Sequence, residues 1–168
     1  MGTPASVHCS RDGKSFAAAE AGEEGGAVRL WDPETGKEIR QLLVPSRATD
    51  AVVFSPDGKR LAAAGDSDGV VHLWDVETGK ELSRTGEHQG GVSSVGFSPD
   101  GRIVSTGCAD QVVRLRDADM AKVVRRVEVG EDAGDPARYH MVVCNNPKAE
   151  DTTHLRPSGP IQSLYNRQ

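Results

Sequence analysis

A chain of 168 residues, 36% hydrophobic and 27% charged, is long enough to bury a core of its own. Its 20 Lys and Arg stand against 25 Asp and Glu, and the resulting net charge of −5 supplies no general positive field for nucleic acid. No apolar run approaches the ~20 residues of a spanning helix, and the N-terminus lacks a basic-then-apolar signal pattern. Three cysteines, Cys9, Cys108 and Cys144, are odd in number and share no metal-type spacing, which fits a reduced compartment. The expectation is a cytoplasmic protein with neither nucleic acid nor membrane as a partner.

The first recognisable stretch, residues 9–32, reads CSRDGKSFAAAEAGEEGGAVRLWD. Asp12-Gly13 is a turn signal, because glycine accepts positive φ without a side-chain clash. The segment SFAAAE that follows suits a helix on propensity alone. Its aligned counterparts RLAAAG and RIVSTG sit between the same turn signals, so a strand is predicted instead. Trp31-Asp32 closes the stretch, and Pro33-Glu34-Thr35-Gly36 leads on to another strand.

The second copy runs over residues 54–75 as FSPDGKRLAAAGDSDGVVHLWD. An apolar run at 51–54 precedes Ser55-Pro56-Asp57-Gly58, where proline fixes φ and glycine ends the turn. Strands are predicted over 60–64 and 70–74, with a polar loop between them and a fourth strand beginning near Lys80. His72, within an alternating strand, is expected to face solvent. The third copy, residues 97–117, reads FSPDGRIVSTGCADQVVRLRD, with strands expected over 92–97, 102–106 and 111–115.

Two independent landmarks set the period. The Asp-Gly pairs at 12, 57 and 100 lie 45 and 43 residues apart, and Trp31, Trp74 and Arg116 lie 43 and 42 apart. Four short antiparallel strands per ~43 residues match one blade of a β-propeller. Beyond residue 129 the rhythm stops: residues 130–168 are polar and broken by proline, and read as an irregular, poorly ordered tail. The expected fold is therefore all-β, an incomplete β-propeller arc of about three four-stranded blades. Their boundaries are near 7–44, 45–87 and 88–129.

The pattern FSPDGxxLAAA…D…VxLWDxxTGKEL resembles the WD40 repeat, over roughly residues 7–127. That resemblance implies a buried hydrogen-bond network of a His, a Ser or Thr, an Asp in the loop before the third strand, and the Trp. Paired polar groups between blades fix their geometry. Carried over residue by residue, Asp68 and Trp74 match in the second copy, where no His stands near residues 45–47. His88 and Asp110 match in the third, with Ser94 as the hydroxyl, but Arg116 replaces the Trp. Trp31 matches in the first copy, where Glu24-Gly25-Gly26 takes the place of the Asp. No copy holds the whole set.

Other chemistry is weaker. His140 and Cys144 form a single metal-type pair, short of the four convergent donors of a zinc site. Ser93, Ser94, His88 and Asp110 supply the residue types of a triad, without a Gly-x-Ser-x-Gly elbow. The glycine-rich stretch 86–91 lacks the Lys-Ser/Thr of a phosphate loop. No catalytic, cofactor or metal site is expected.

The resemblance implies a non-catalytic scaffold that binds a protein or peptide through its loops. The loop residues singled out are Asp50, Asp66, Asp68, Glu87, His88, Asp110 and Gln111, whose acidic members favour basic partners. Three blades fall short of the 4–8 of a closed ring. The alternatives are a fragment of a longer propeller, an accessory region of a larger signalling protein such as one with a kinase domain, or a half-ring closing with itself as a homodimer.

Overall fold

The computed structural model describes residues 3–21, 25–44, 49–65, 68–86 and 88–128. The expectation for residues 130–168 lies outside the described residues. Twelve strands form three four-stranded antiparallel sheets, and the described residues contain no helix. The first sheet holds β1 (Thr3–Cys9), β2 (Phe16–Ala21), β3 (Gly26–Trp31) and β4 (Glu38–Val44). The second holds β5 (Ala51–Phe54), β6 (Arg60–Ala64), β7 (Val71–Asp75) and β8 (Glu81–Thr85). The third holds β9 (Val92–Phe97), β10 (Ile103–Cys108), β11 (Val112–Asp117) and β12 (Val123–Glu128). Within each sheet the strands follow chain order. The alanine-rich segment after the first turn is strand β2, so tertiary pairing overrides its helical propensity.

Each sheet opens with the same hairpin, built by the same bonds. The Ser10, Ser55 and Ser98 hydroxyls donate to Asp12, Asp57 and Asp100 at 2.7, 2.6 and 2.6 Å. Each hydroxyl also accepts the backbone N–H five residues on, at 2.9–3.0 Å. The serine bond is the main reason these three carboxyls sit below the usual aspartate range, helped by backbone N–H groups of Lys14, Lys59 and Arg102. Glycine is required at the turn's end, where φ is +70° to +71° at Gly13, Gly58 and Gly101.

The sheets stack face to face, and their first strands β1, β5 and β9 run side by side along the inner edge. One core joins the first and second sheets through Ala17, Ala19, Val28 and Leu30 on one side and Leu61, Ala63 and Trp74 on the other. A second core joins the second and third sheets through Ala62, Ala64, Val71 and Leu73 against Val92, Phe97, Val104 and Met120. Among the described residues, only the middle sheet is covered on both faces. This overturns the expectation for His72: it is 3% exposed, because its face of β7 lies under the first sheet. There it stacks on Trp74, ring centroids 5.3 Å apart, and its Nδ1 bonds Glu81 at 2.7 Å.

One arginine fastens each junction. Arg40 on β4 donates to the carbonyls of Glu77 and Thr78, at 2.9 and 3.0 Å, in the β7–β8 turn of the next sheet. Its chain lies across Gly79: a Cβ there would come within 2.7 Å of Arg40 Cδ. Arg60 on β6 donates to Ala118 and Gly101 carbonyls of the third sheet at 2.9 and 3.1 Å, and its guanidinium lies 5.7 Å from the Phe97 ring centroid. Charged donors on backbone carbonyls contribute about 1.5–3 kcal/mol each. An incomplete propeller arc results, in which the described residues cover each of the two end sheets on one face.

Candidate functional site

Antiparallel order puts the hairpin turns at one end of every sheet and the β2–β3, β4–β5, β6–β7, β8–β9 and β10–β11 connections at the other. The loop residues singled out from the sequence therefore share one rim, though Asp66 and Glu87 lie outside the described residues. The rim is interlocked. A Cβ on Gly69 would lie 2.5 Å from the His88 carbonyl and 2.9 Å from that of Gly90, so the β6–β7 and β8–β9 connections touch. The Gln89 N–H donates to Asp110 Oδ2 (3.3 Å), tying the β8–β9 connection to the β10–β11 turn. In that turn Gln111 is exposed and adopts φ of 60°.

His88 and Asp110 meet beneath this rim, with two residues that sequence reasoning missed. The His88 Nε2 lies 2.7 Å from Thr106 Oγ1, and Arg114 Nη1 lies 2.6 Å from His88 Nδ1. The same Arg114 nitrogen donates to Asp110 Oδ2 at 2.7 Å. A guanidinium can only donate, so Nδ1 accepts and the proton sits on Nε2, donated to Thr106. The imidazole is neutral: burial above all, and then the Arg114 charge, lower its pKa to about 4. Burial pushes the Asp110 carboxyl up, but the Arg114 bond and the N–H groups of Gln89 and Val112 outweigh it and hold the carboxyl at about 2.

This arrangement bears on two chemical questions. Ligand atoms of His88, Cys108 and Asp110 lie within 4.8 Å of one another, a spacing that suits a metal. Arg114 already supplies the cation between His88 and Asp110. Burial meanwhile raises the Cys108 pKa, and the thiol lies 3.4 Å from the Gly90 carbonyl as a donor would. Nor can His88 act as base for Ser94, since both its nitrogens are bonded elsewhere. The Ser94 hydroxyl instead lies against Gly107, where a Cβ would be 2.6 Å away. Thr106 was legible only as the strand residue four before Asp110.

The other network residues do not come together. Asp68 is exposed and accepts the Val70 N–H at 3.0 Å, while Trp74 stacks on His72. Trp31 stacks on Phe16, centroids 6.4 Å apart, on the open face of the first sheet. Asp50 stands at the entry to β5, its N–H bonded to the Ala64 carbonyl at 2.9 Å. Between Asp68 and His72 lies an open depression of about 300 Å³, also lined by Val70, Arg84 and Gly86. The Nδ1 of His72 lies on Glu81, and its buried Nε2 has no hydrogen-bond partner among the described residues.

Three four-stranded sheets stacked about a shared inner edge define a protein of the β-propeller class. Residues 44–75 and 79–117 match the family model "WD domain, G-beta repeat", and over these segments the chain is similar to WD40 repeats. The second match begins before β8 and ends with β11, so one repeat supplies the outer strand of one sheet and three strands of the next. Apart from Val44, the first sheet lies outside the match yet repeats the same ladders. No curated protein matches the chain. Among the described residues, no helix is long and apolar enough to cross a membrane.

Proposed function

We propose that this chain is a non-catalytic docking module that binds a basic segment of a partner protein at its loop rim. The observation that carries this reading is the open depression beside Asp68, where the exposed Asp68 carboxylate offers an acceptor. Lys or Arg side chains and backbone N–H groups are the matching donors. The interlocked connections around it form a rigid frame, which limits the ordering cost of binding. The titratable cluster next door is consumed by its own bonds, which favours a structural over a catalytic role. The net charge of −5 favours basic peptides over nucleic acid.

Fluorescence anisotropy with a labelled Lys/Arg-rich peptide, and with the same peptide carrying Glu at those positions, tests the reading. The basic peptide is expected to bind, and Asp68→Asn, which keeps the acceptor for the Val70 N–H, to weaken it about tenfold. Equal binding of both peptides, or no effect of Asp68→Asn, would overturn it. A second reading, the arc as one stretch of a longer ring, is favoured by the two end faces that no other described sheet covers.

A further inference from the structure

The two faces that the stack leaves open repeat, residue for residue, the faces that it covers. In the ladders Phe16 pairs with Trp31, Leu61 with Trp74 and Val104 with Arg116. The open face of the first sheet, with Phe16, Ala18 and Trp31, thus corresponds to Leu61, Ala63 and Trp74 of the second, which the first sheet covers. The open face of the third sheet, with Ser105, Gly107, Val113 and Leu115, corresponds to Ala17, Ala19, Val28 and Leu30 of the first, which the second sheet covers. Polar groups repeat as well. Arg29 bonds Glu38 at 2.7 Å where the second sheet has the covered pair His72 and Glu81.

The junction arginine has a counterpart on the open side. Leu30 pairs with Arg40 across β3 and β4, and Leu115 pairs with Arg125 across β11 and β12. Arg125 therefore stands, exposed, at the register position from which Arg40 crosses to the next sheet. The receiving turn is repeated too: Gly36 donates to Asp32 and Gly79 to Asp75, each at 2.9 Å, with φ of +66° and +72°. Around Gly79 the space is filled by Arg40; around Gly36 no described residue lies within 4 Å of a Cβ. The first sheet thus repeats, around Gly36, the turn that receives Arg40, and the third sheet repeats, at Arg125, the register position of Arg40.

We propose that the open face of the first sheet docks the third sheet of a second copy, with Arg125 lying over Gly36 as Arg40 lies over Gly79. The contact is head to tail. Two copies related by a two-fold axis along the ring make it twice, and together their six sheets fall within the range of closed propellers. Leu43 and Val7, 75% and 59% exposed on the open face of the first sheet, become covered. This names one partner for the docking module proposed above, but it uses the sheet faces and not the rim.

Light scattering and sedimentation of the full chain over a wide concentration range read the result directly. The expected species has twice the 17.9 kDa chain mass. Leu43→Glu on one face and Arg125→Glu on the other are each expected to raise the dissociation constant about tenfold or more, by burying a charge or reversing one. The control Leu82→Glu, at an exposed outer position of the middle sheet, should leave the dimer intact. Far-UV circular dichroism separates lost association from lost folding, and Arg125→Lys gives a milder second variant on the same face. Mixing the Leu43→Glu and Arg125→Glu chains should restore association through the one undamaged junction. A monomeric wild-type chain would overturn the proposal. So would a dimer lost with Leu43→Glu but kept with Arg125→Glu, which means a like-with-like contact. Peptide binding that persists in a monomer would sink this inference alone.

Discussion

Buried, neutral His88 makes stability depend on pH in a window that can be worked out. Its folded pKa is about 4 against the ordinary 6.5, so between those values the unfolded chain binds a proton that the folded chain refuses. Stability is then present in full above pH 6.5 and is lost as pH falls toward 4. Between pH 7.5 and 5 this one imidazole accounts for a loss of about 2 kcal/mol. The perturbation is His88→Gln, whose amide can donate to Thr106 and accept from Arg114 without titrating. Urea unfolding of both proteins across that range gives the difference. Because His8, also pushed down by burial, is common to both proteins, the comparison isolates His88. The wild-type curve should fall about 2 kcal/mol more than that of the variant. Parallel curves, or an NMR titration placing His88 near 6.5, would refute the neutral, arginine-capped imidazole.

Two further predictions follow from the turns and thiols. Gly36→Ala and Gly79→Ala each force a positive φ on alanine, costing about 1–2 kcal/mol, but only Gly79→Ala must also displace Arg40 from its two carbonyls, adding about 1–3 kcal/mol. Denaturant midpoints of the two variants, measured at a concentration where the chain is monomeric, should therefore differ in that order. Exposed Cys9 should alkylate at least about tenfold faster than Cys108, which is buried and whose pKa burial raises, as read by peptide mapping after a short pulse.

The repeat, the four-strand blade and the three hairpin turns were legible because each depends on local chemistry. Ser, Asp and Gly at fixed offsets make the same bonds in every copy, and two landmarks agree on the period. The loop rim was legible for a similar reason, since strand alternation alone assigns connections to ends. What escaped depended on neighbours. His72 lies in a strand whose alternation suggests a wet face, but the first sheet covers that face, and no pattern within one strand reveals a neighbouring sheet. The partner of His88 was sought at Ser94, on the adjacent strand β9, whereas the hydroxyl that reaches it is Thr106 of β10. Arg114 looked like an ordinary strand charge until His88 and Asp110 were seen to share it. The junction role of Arg40 was invisible because it depends on a turn 37 residues away.

The central claim is a three-sheet arc in which, among the described residues, only the middle sheet is packed on both faces. Hydrogen–deuterium exchange of the full chain, at a concentration where it is monomeric and resolved by mass spectrometry, tests it most directly. The account predicts slowest exchange in β6 and β7, whose side chains support both cores, and fastest exchange among the strands in the outer strands β4 and β12. Protection that is uniform over the three sheets, or strongest in the first or third, would contradict it.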